Sequence, residues 1–214
     1  MSPSPDRRVP RVLLVTDSRR LVPGGTPAAR IDALVRQARE AFAAGVDAIH
    51  LREPDVDAAS LLAAACAMAP LGRLIVGERA DVALAAGAAG VHLRGDGPPA
   101  ARVRALIGDA MTLSRAVHAE REARQWGSDG ALDWLVAGTA FETASKPGRA
   151  IIGIAGLAAM ARASRLPVVA IGGITDGNAP AVRAAGARGV AGIGLFLQPI
   201  RRDYVDRLRE RSLE

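Results

Sequence analysis

Aromatic side chains are scarce in this sequence: Phe, Trp and Tyr together make up 3% of its 214 residues. A chain so poor in flat rings offers few surfaces on which bases stack, which argues against a nucleic-acid partner. Cysteine is rarer still. With Cys66 alone there is no internal disulfide and no multi-cysteine metal site, a pattern that fits a reducing cytoplasm. Its neighbourhood, Leu61 to Ala69, is rich in Leu and Ala and reads as helix core. Long apolar runs are missing too. None approaches the roughly eighteen residues of a membrane span, and the proline-rich opening stretch has no apolar segment behind it. The expectation is a cytoplasmic protein with no membrane partner, in which residues 1–10 form a loose leader and residues 11–214 one folded domain. Lysine is almost absent: of 28 basic residues, all but Lys146 are arginine. The arginines are scattered, so the net charge of +6 reads as a general surface property. A single ammonium in a guanidinium-rich chain, however, invites a chemical reason.

What the chain does have is an alternation. Short runs rich in β-branched residues recur about every twenty to twenty-five residues, each followed by an Ala-rich stretch of helical spacing. The strands expected are Val12 to Thr16, Ala48 to Leu51, Leu74 to Val76, Gly90 to Leu93, Met111 to Ser114, Leu132 to Ala137, Val168 to Ile171 and Gly189 to Ile193. Glycines at 45, 87 and 186 close helices and turn at once into the next strand. An open doubly wound sheet shares the alternation, but the number of units favours closure. The fold class is therefore α/β, a single (β/α)8 (TIM) barrel.

In such a barrel reactive groups collect where strands exit at their C-terminal ends. The exits here carry Thr16-Asp17, Arg52-Glu53, Glu78-Arg79, Arg94 with Asp96, Ser114-Arg115 and Thr139. Because strand side chains alternate, His50 shares a face with Arg52 and His92 with Arg94, and this polar face looks into the barrel mouth. The seventh strand runs straight into Gly172-Gly173 and the eighth into Ile193-Gly194. Glycine lets backbone N–H groups approach an anion, and phosphate sites in barrels are frequently built after strands seven and eight. A small phosphorylated ligand is expected there. The long loop after strand six, Gly138 to Gly148, adds hydroxyls and the lone Lys146, a point charge able to reach an anionic ligand.

Taken together, Leu13 to Asp17, His50 to Glu53, Gly77 to Asp81, Gly90 to Leu93, Ser114, Phe141 to Lys146 and Ala170 to Ile174 resemble, in order and spacing, the thiamin-phosphate synthase/TenI family. The resemblance implies a (β/α)8 barrel acting in thiamin biosynthesis. The synthase joins a hydroxymethylpyrimidine diphosphate to a thiazole phosphate, with magnesium helping diphosphate to leave. By resemblance, Arg52, Ser114 and Lys146 hold the pyrimidine diphosphate as the catalytic set. Thr143 and Ser145 hold the thiazole phosphate, over a backbone cradle of Gly172, Gly173, Ile193 and Gly194, and His50, His92 and Thr139 complete the substrate pocket. Glu78 and Asp96 are the candidate magnesium ligands.

The departures from the pattern define the alternatives. The synthase pattern puts Lys at Pro54 and Asn-Asp at Gly77-Glu78, and its second magnesium carboxylate aligns with Gly97. Other features lean toward the TenI branch of thiazole tautomerases: His50 in place of Gln, the segment Ser114 to His118, and Phe141 to Thr143. Yet the tautomerase's proton-shuttling histidine aligns with Thr139, and a hydroxyl is a poor acid or base near neutral pH. A tautomerase would then need His50 or His92 as a relocated base, with His118 only a cap or surface residue on the next helix. A third reading is a barrel that binds a thiamin-related phosphate without turning it over. The synthase stands first, because charge at a leaving group tolerates rearrangement better than proton transfer tolerates loss of its base.

Overall fold

The computed structural model describes residues 9–143 and 150–209. Eight parallel strands close into one barrel in sequence order: β1 Val12–Val15, β2 Ala48–Leu51, β3 Leu74–Gly77, β4 Gly90–Leu93, β5 Thr112–Val117, β6 Trp134–Ala137, β7 Val168–Ile171 and β8 Gly189–Gly192. β1 is paired on one side with β2, Leu13 opposite Ala48, and on the other with β8, Val12 opposite Val190, which completes the ring. The helices between them are α1 Ser18–Leu21, α2 Pro27–Ala44, α3 Ala58–Met68, α4 Ala80–Ala85, α5 Ala100–Ile107, α6 Glu120–Trp126, α7 Gly153–Ala163, α8 Ala179–Ala184 and α9 Arg202–Arg209.

α2 illustrates how the sequence dictates each unit. Thr26 caps its first turn by accepting from the Ala29 N–H, Pro27 supplies a preset φ, and Gly45 ends it in the left-handed region. Its buried residues, Ala33, Leu34, Gln37, Ala38, Ala41 and Ala44, fall at three- and four-residue spacing and make the stripe that lies on the sheet. The small alanines let helix and sheet approach closely, which is why so many are needed.

Strand alternation sorts the core into two clusters. Val12, Leu14, Ile49, Leu51, Val91, Leu93 and Leu113 face the helices, whereas Leu13, Val15, Ala48, Ile75, Trp134, Val136, Val169 and Ala191 fill the barrel. At the N-terminal face polar groups hold the structure together. The Asp47 carboxylate accepts from the Arg11 and Val12 N–H groups and pairs with Arg209, and Asp133 accepts from the Leu113 N–H and pairs with Arg104. No helix of the described residues is long and apolar enough to cross a membrane.

Two local expectations change. Cys66, expected in the core, is exposed on α3, whose buried face is instead Leu61, Ala64, Ala65 and Met68. β5 runs on to Val117 rather than stopping at Ser114. That extension of one strand moves several functional side chains relative to where the sequence placed them.

Candidate active site

The mouth of the barrel holds a cavity of about 180 Å³ whose wall includes Arg52, His118, Thr139, Thr143, Gly173 and Gly194. Its floor toward β7 and β8 is backbone. Gly172 and Gly173 have φ of +104° and +61°, and a Cβ at Gly172 would lie 2.6 Å from the Thr139 Cγ2. The glycine pair is required here by conformation and by space at once. The loop after β6 is laid against it, with the Ala140 N–H donating to the Ile171 carbonyl at 2.8 Å and the Phe141 N–H to the Gly172 carbonyl at 3.0 Å. Ile193 and Gly194 close the adjacent side, and a Cβ at Gly194 would meet nothing within 4 Å, so this backbone borders open space. Among the described residues no acceptor takes the N–H of Gly173 or Gly194. Free N–H groups on a glycine backbone facing a cavity suit a phosphate.

Arg52 stands at the β2 exit, its backbone N–H bound to the Thr16 Oγ1 at 3.0 Å and its guanidinium exposed over the cavity. Its neighbour Glu53 turns inward and accepts from the Ser18 N–H and hydroxyl, tying the first two exits together. Ser114, expected at an exit, sits inside the barrel because β5 is longer than anticipated, and its Oγ lies 2.9 Å from the His92 Nδ1. The residue that takes the exit is His118. Expected as a cap or surface residue of the next helix, it instead follows β5 directly, lines the cavity, and has Nδ1 2.6 Å from the Gly138 carbonyl. Because a carbonyl only accepts, that contact makes Nδ1 the donor. The signal is in the spacing: Thr112, Ser114 and Ala116 are every second residue of β5, and His118 continues that series just past its end.

His50 and His92 lie below the mouth, buried, with ring centroids 4.6 Å apart, and His92 stacks over Trp134. Burial, helped by the Arg115 and Arg52 charges, pushes the His92 imidazole down to about 3. Burial, then His92 and Arg52, hold His50 well below its ordinary value as well. Both rings are neutral near pH 7, so neither places a positive charge beneath the site. An unfolded histidine takes its proton near 6.5, and folded His92 refuses it until about 3. Between those values the unfolded chain binds more protons, so stability falls as pH drops through that window, by up to about 1.4 kcal/mol per pH unit for each histidine. Denaturant midpoints taken from pH 6.5 to 5 will fall in the wild type and fall less steeply in His92→Asn. Parallel pH dependence in the two proteins would contradict a neutral His92.

The candidate metal ligands come together, but on an arginine. Arg94 Nε is 2.7 Å from Glu78 Oε1 and 3.3 Å from Asp96 Oδ1. Among the described residues no group of three or more His, Cys, Asp or Glu is placed to hold a metal ion. Arg115 is another residue whose part the sequence did not reveal. It faces the helices, is 1% exposed, lies 4.4 Å over the Trp126 ring, and donates to the carbonyls of Arg94, Gly95, Gly97 and Pro98. Ser145 and Lys146 lie outside the described residues.

Residues 20–196 match the family model described as thiamine monophosphate synthase. A thiamine-phosphate synthase of Roseiflexus castenholzii is 42% identical over 192 residues, covering 87% of this chain and 80% of that protein. A putative thiamine-phosphate synthase of Geobacter sulfurreducens is 40% identical over 163 residues, 73% of this chain and 76% of its own length. Among solved structures, a thiamine phosphate pyrophosphorylase from Pyrococcus furiosus superposes with a TM-score of 0.77 at 29% identity, over 93% of both chains. A 3-hexulose-6-phosphate synthase, at 21% identity and a TM-score of 0.63, shares the fold.

Proposed function

The chain belongs to the thiamine monophosphate synthase family, and from that premise we propose that it joins hydroxymethylpyrimidine diphosphate to thiazole phosphate, releasing diphosphate. The observation that carries this reading is the glycine-lined backbone cradle at the β7 and β8 exits, with Arg52 and His118 lining the same cavity. The cradle takes the thiazole phosphate through N–H groups. Arg52 meets the diphosphate of the second substrate at the β2 exit, and Ser145 and Lys146, which follow Thr143 in the sequence, are proposed to complete the anion contacts.

The reaction asks for charge more than for acid–base chemistry. The bond between the pyrimidine methylene carbon and the diphosphate oxygen breaks, both electrons leaving with diphosphate. The thiazole nitrogen then gives its lone pair to that carbon, and no proton has to be moved. Positive groups are needed at the leaving diphosphate and are harmful beneath the carbon that becomes cationic. Arg52 at the rim and neutral His50 and His92 below satisfy both conditions. Magnesium is the group that the resemblance adds at the leaving diphosphate. The acids expected to hold it are already paired with Arg94, so no step is routed through a metal. The tautomerase reading needed His50 or His92 as a base within reach of the ligand, and their burial below the cavity with depressed basicity does not favour it.

Incubating the protein with both substrates will yield thiamin phosphate and diphosphate in equal amounts, and Arg52→Ala will lower kcat/KM by roughly two orders of magnitude, in line with the loss of one charge-stabilising donor. No thiamin phosphate at high protein concentration, together with tight binding of thiazole phosphate, would leave the non-catalytic binder as the function.

A further inference from the structure

The cluster of Arg94, Glu78 and Asp96 stands at the neighbouring exits of β3 and β4, and its chemistry differs from the one that the resemblance implies. Magnesium takes oxygen ligands in a tight octahedron at about 2.0–2.1 Å. Here both carboxylates instead approach the Nε of one guanidinium, at 2.7 and 3.3 Å, so a cation already occupies the place between them. Both acids make their closest approach to that nitrogen. The two terminal nitrogens of Arg94 form the planar fork that suits phosphate oxygens.

We propose that Arg94 is the built-in cation of this site: Glu78 and Asp96 hold it by Nε, and its fork, in place of a divalent metal, receives the diphosphate oxygens. This inference rests on the proposed condensation for the identity of the anion, but its geometry stands apart from it.

The frame around Arg94 is fixed by backbone on both sides. Glu78 is the one non-glycine residue with positive φ among the described residues, at 61°, and its N–H donates to the His92 carbonyl at 2.8 Å. A left-handed backbone at a glutamate is uncommon and marks a position held by its surroundings. The loop bearing Arg94 and Asp96 is gripped from beneath by buried Arg115 through the carbonyls of Arg94, Gly95, Gly97 and Pro98. A preformed loop reduces the ordering cost of binding.

Calorimetry with inorganic diphosphate in EDTA tests the idea on the full chain. The wild type will bind diphosphate without metal, Arg94→Gln will bind it at least tenfold more weakly, and adding magnesium will change the wild-type affinity by less than threefold. Mn²⁺ alone, followed by its paramagnetic resonance, will bind Arg94→Gln more tightly than wild type, because the substitution releases both carboxylates; unchanged thermal midpoints will establish that the variant is folded. Diphosphate binding that needs magnesium in the wild type, or equal binding by the two proteins in EDTA, overturns the proposal. The two readings fail separately. Condensation that runs only with magnesium and ignores Arg94→Gln removes this inference and keeps the synthase, whereas Arg94-dependent diphosphate binding without condensation does the reverse.

Discussion

Alanine at Gly173 will weaken binding of thiazole phosphate, or of inorganic phosphate as a simpler probe, by about a hundredfold, a loss of about 2.7 kcal/mol. Two causes act together. The φ of +61° places a Cβ in a conformation that side chains resist, and the same Cβ would collide with the Glu142 carbonyl oxygen and lie 2.7 Å from the Phe141 Cβ. Contacts that close force a movement, and the first of these is with backbone. What must move is the loop that pairs with the β7 exit through Ala140 and Phe141, the same loop that carries Thr143 to the cavity wall. The cradle and its cover are therefore disturbed by one methyl group. Gly194→Ala is the informative contrast. Its Cβ meets no atom within 4 Å and its φ is not positive, so the thermal midpoint will stay at the wild-type value while the methyl intrudes on the cavity and binding still weakens. Calorimetry and thermal denaturation on the two variants separate these outcomes. Wild-type phosphate affinity in Gly173→Ala would mean that the anion sits elsewhere.

How far the sequence foretells this site depends on whether a group is placed by periodicity or by contact across the fold. The glycine pair after β7, and His50 and His92 on one inward face, follow from strand alternation and were legible. The strands themselves were nearly so, because a buried parallel sheet writes β-branched runs that stand out from Ala-rich helices. β5 was the exception. Arg115 and Ala116 interrupt its apolar run, and with the strand cut short at Ser114 the exit was assigned to the wrong residue and His118 was passed over. Glu53, read as one more exit acid, is turned inward by Ser18 some thirty-five positions earlier in the chain. Glu78 and Asp96 look like metal ligands in a linear sequence, and only the fold brings the Arg94 guanidinium between them. Arg115 looked like an exit residue of the mouth, yet it occupies an odd position of β5 and faces away from it, toward Trp126.

That misplaced arginine carries the largest stability effect expected in the molecule. Arg115→Met will lower the unfolding free energy by about 3–5 kcal/mol, the range for breaking a buried charged network by removing one partner. The guanidinium is buried, and burial lowers its pKa, so it is held in place against a desolvation penalty by what it touches. What it touches is four carbonyls of one loop and the face of Trp126. Methionine fills much of the volume but donates nothing, and each carbonyl left dry costs about 1–3 kcal/mol unless water reaches it. Arg115→Lys will recover less than half of the loss, because one ammonium is a point charge that cannot span four carbonyls or lie flat on an indole. Guanidinium chloride unfolding at pH 7.5 measures both, with an unchanged denaturant slope expected for variants that keep the fold. Since the loop in Arg115's grip also carries Arg94, diphosphate binding in EDTA will weaken in Arg115→Met even though residue 115 lies outside the cavity wall. A variant that loses stability but binds diphosphate as the wild type does would show that Arg94 needs no such support.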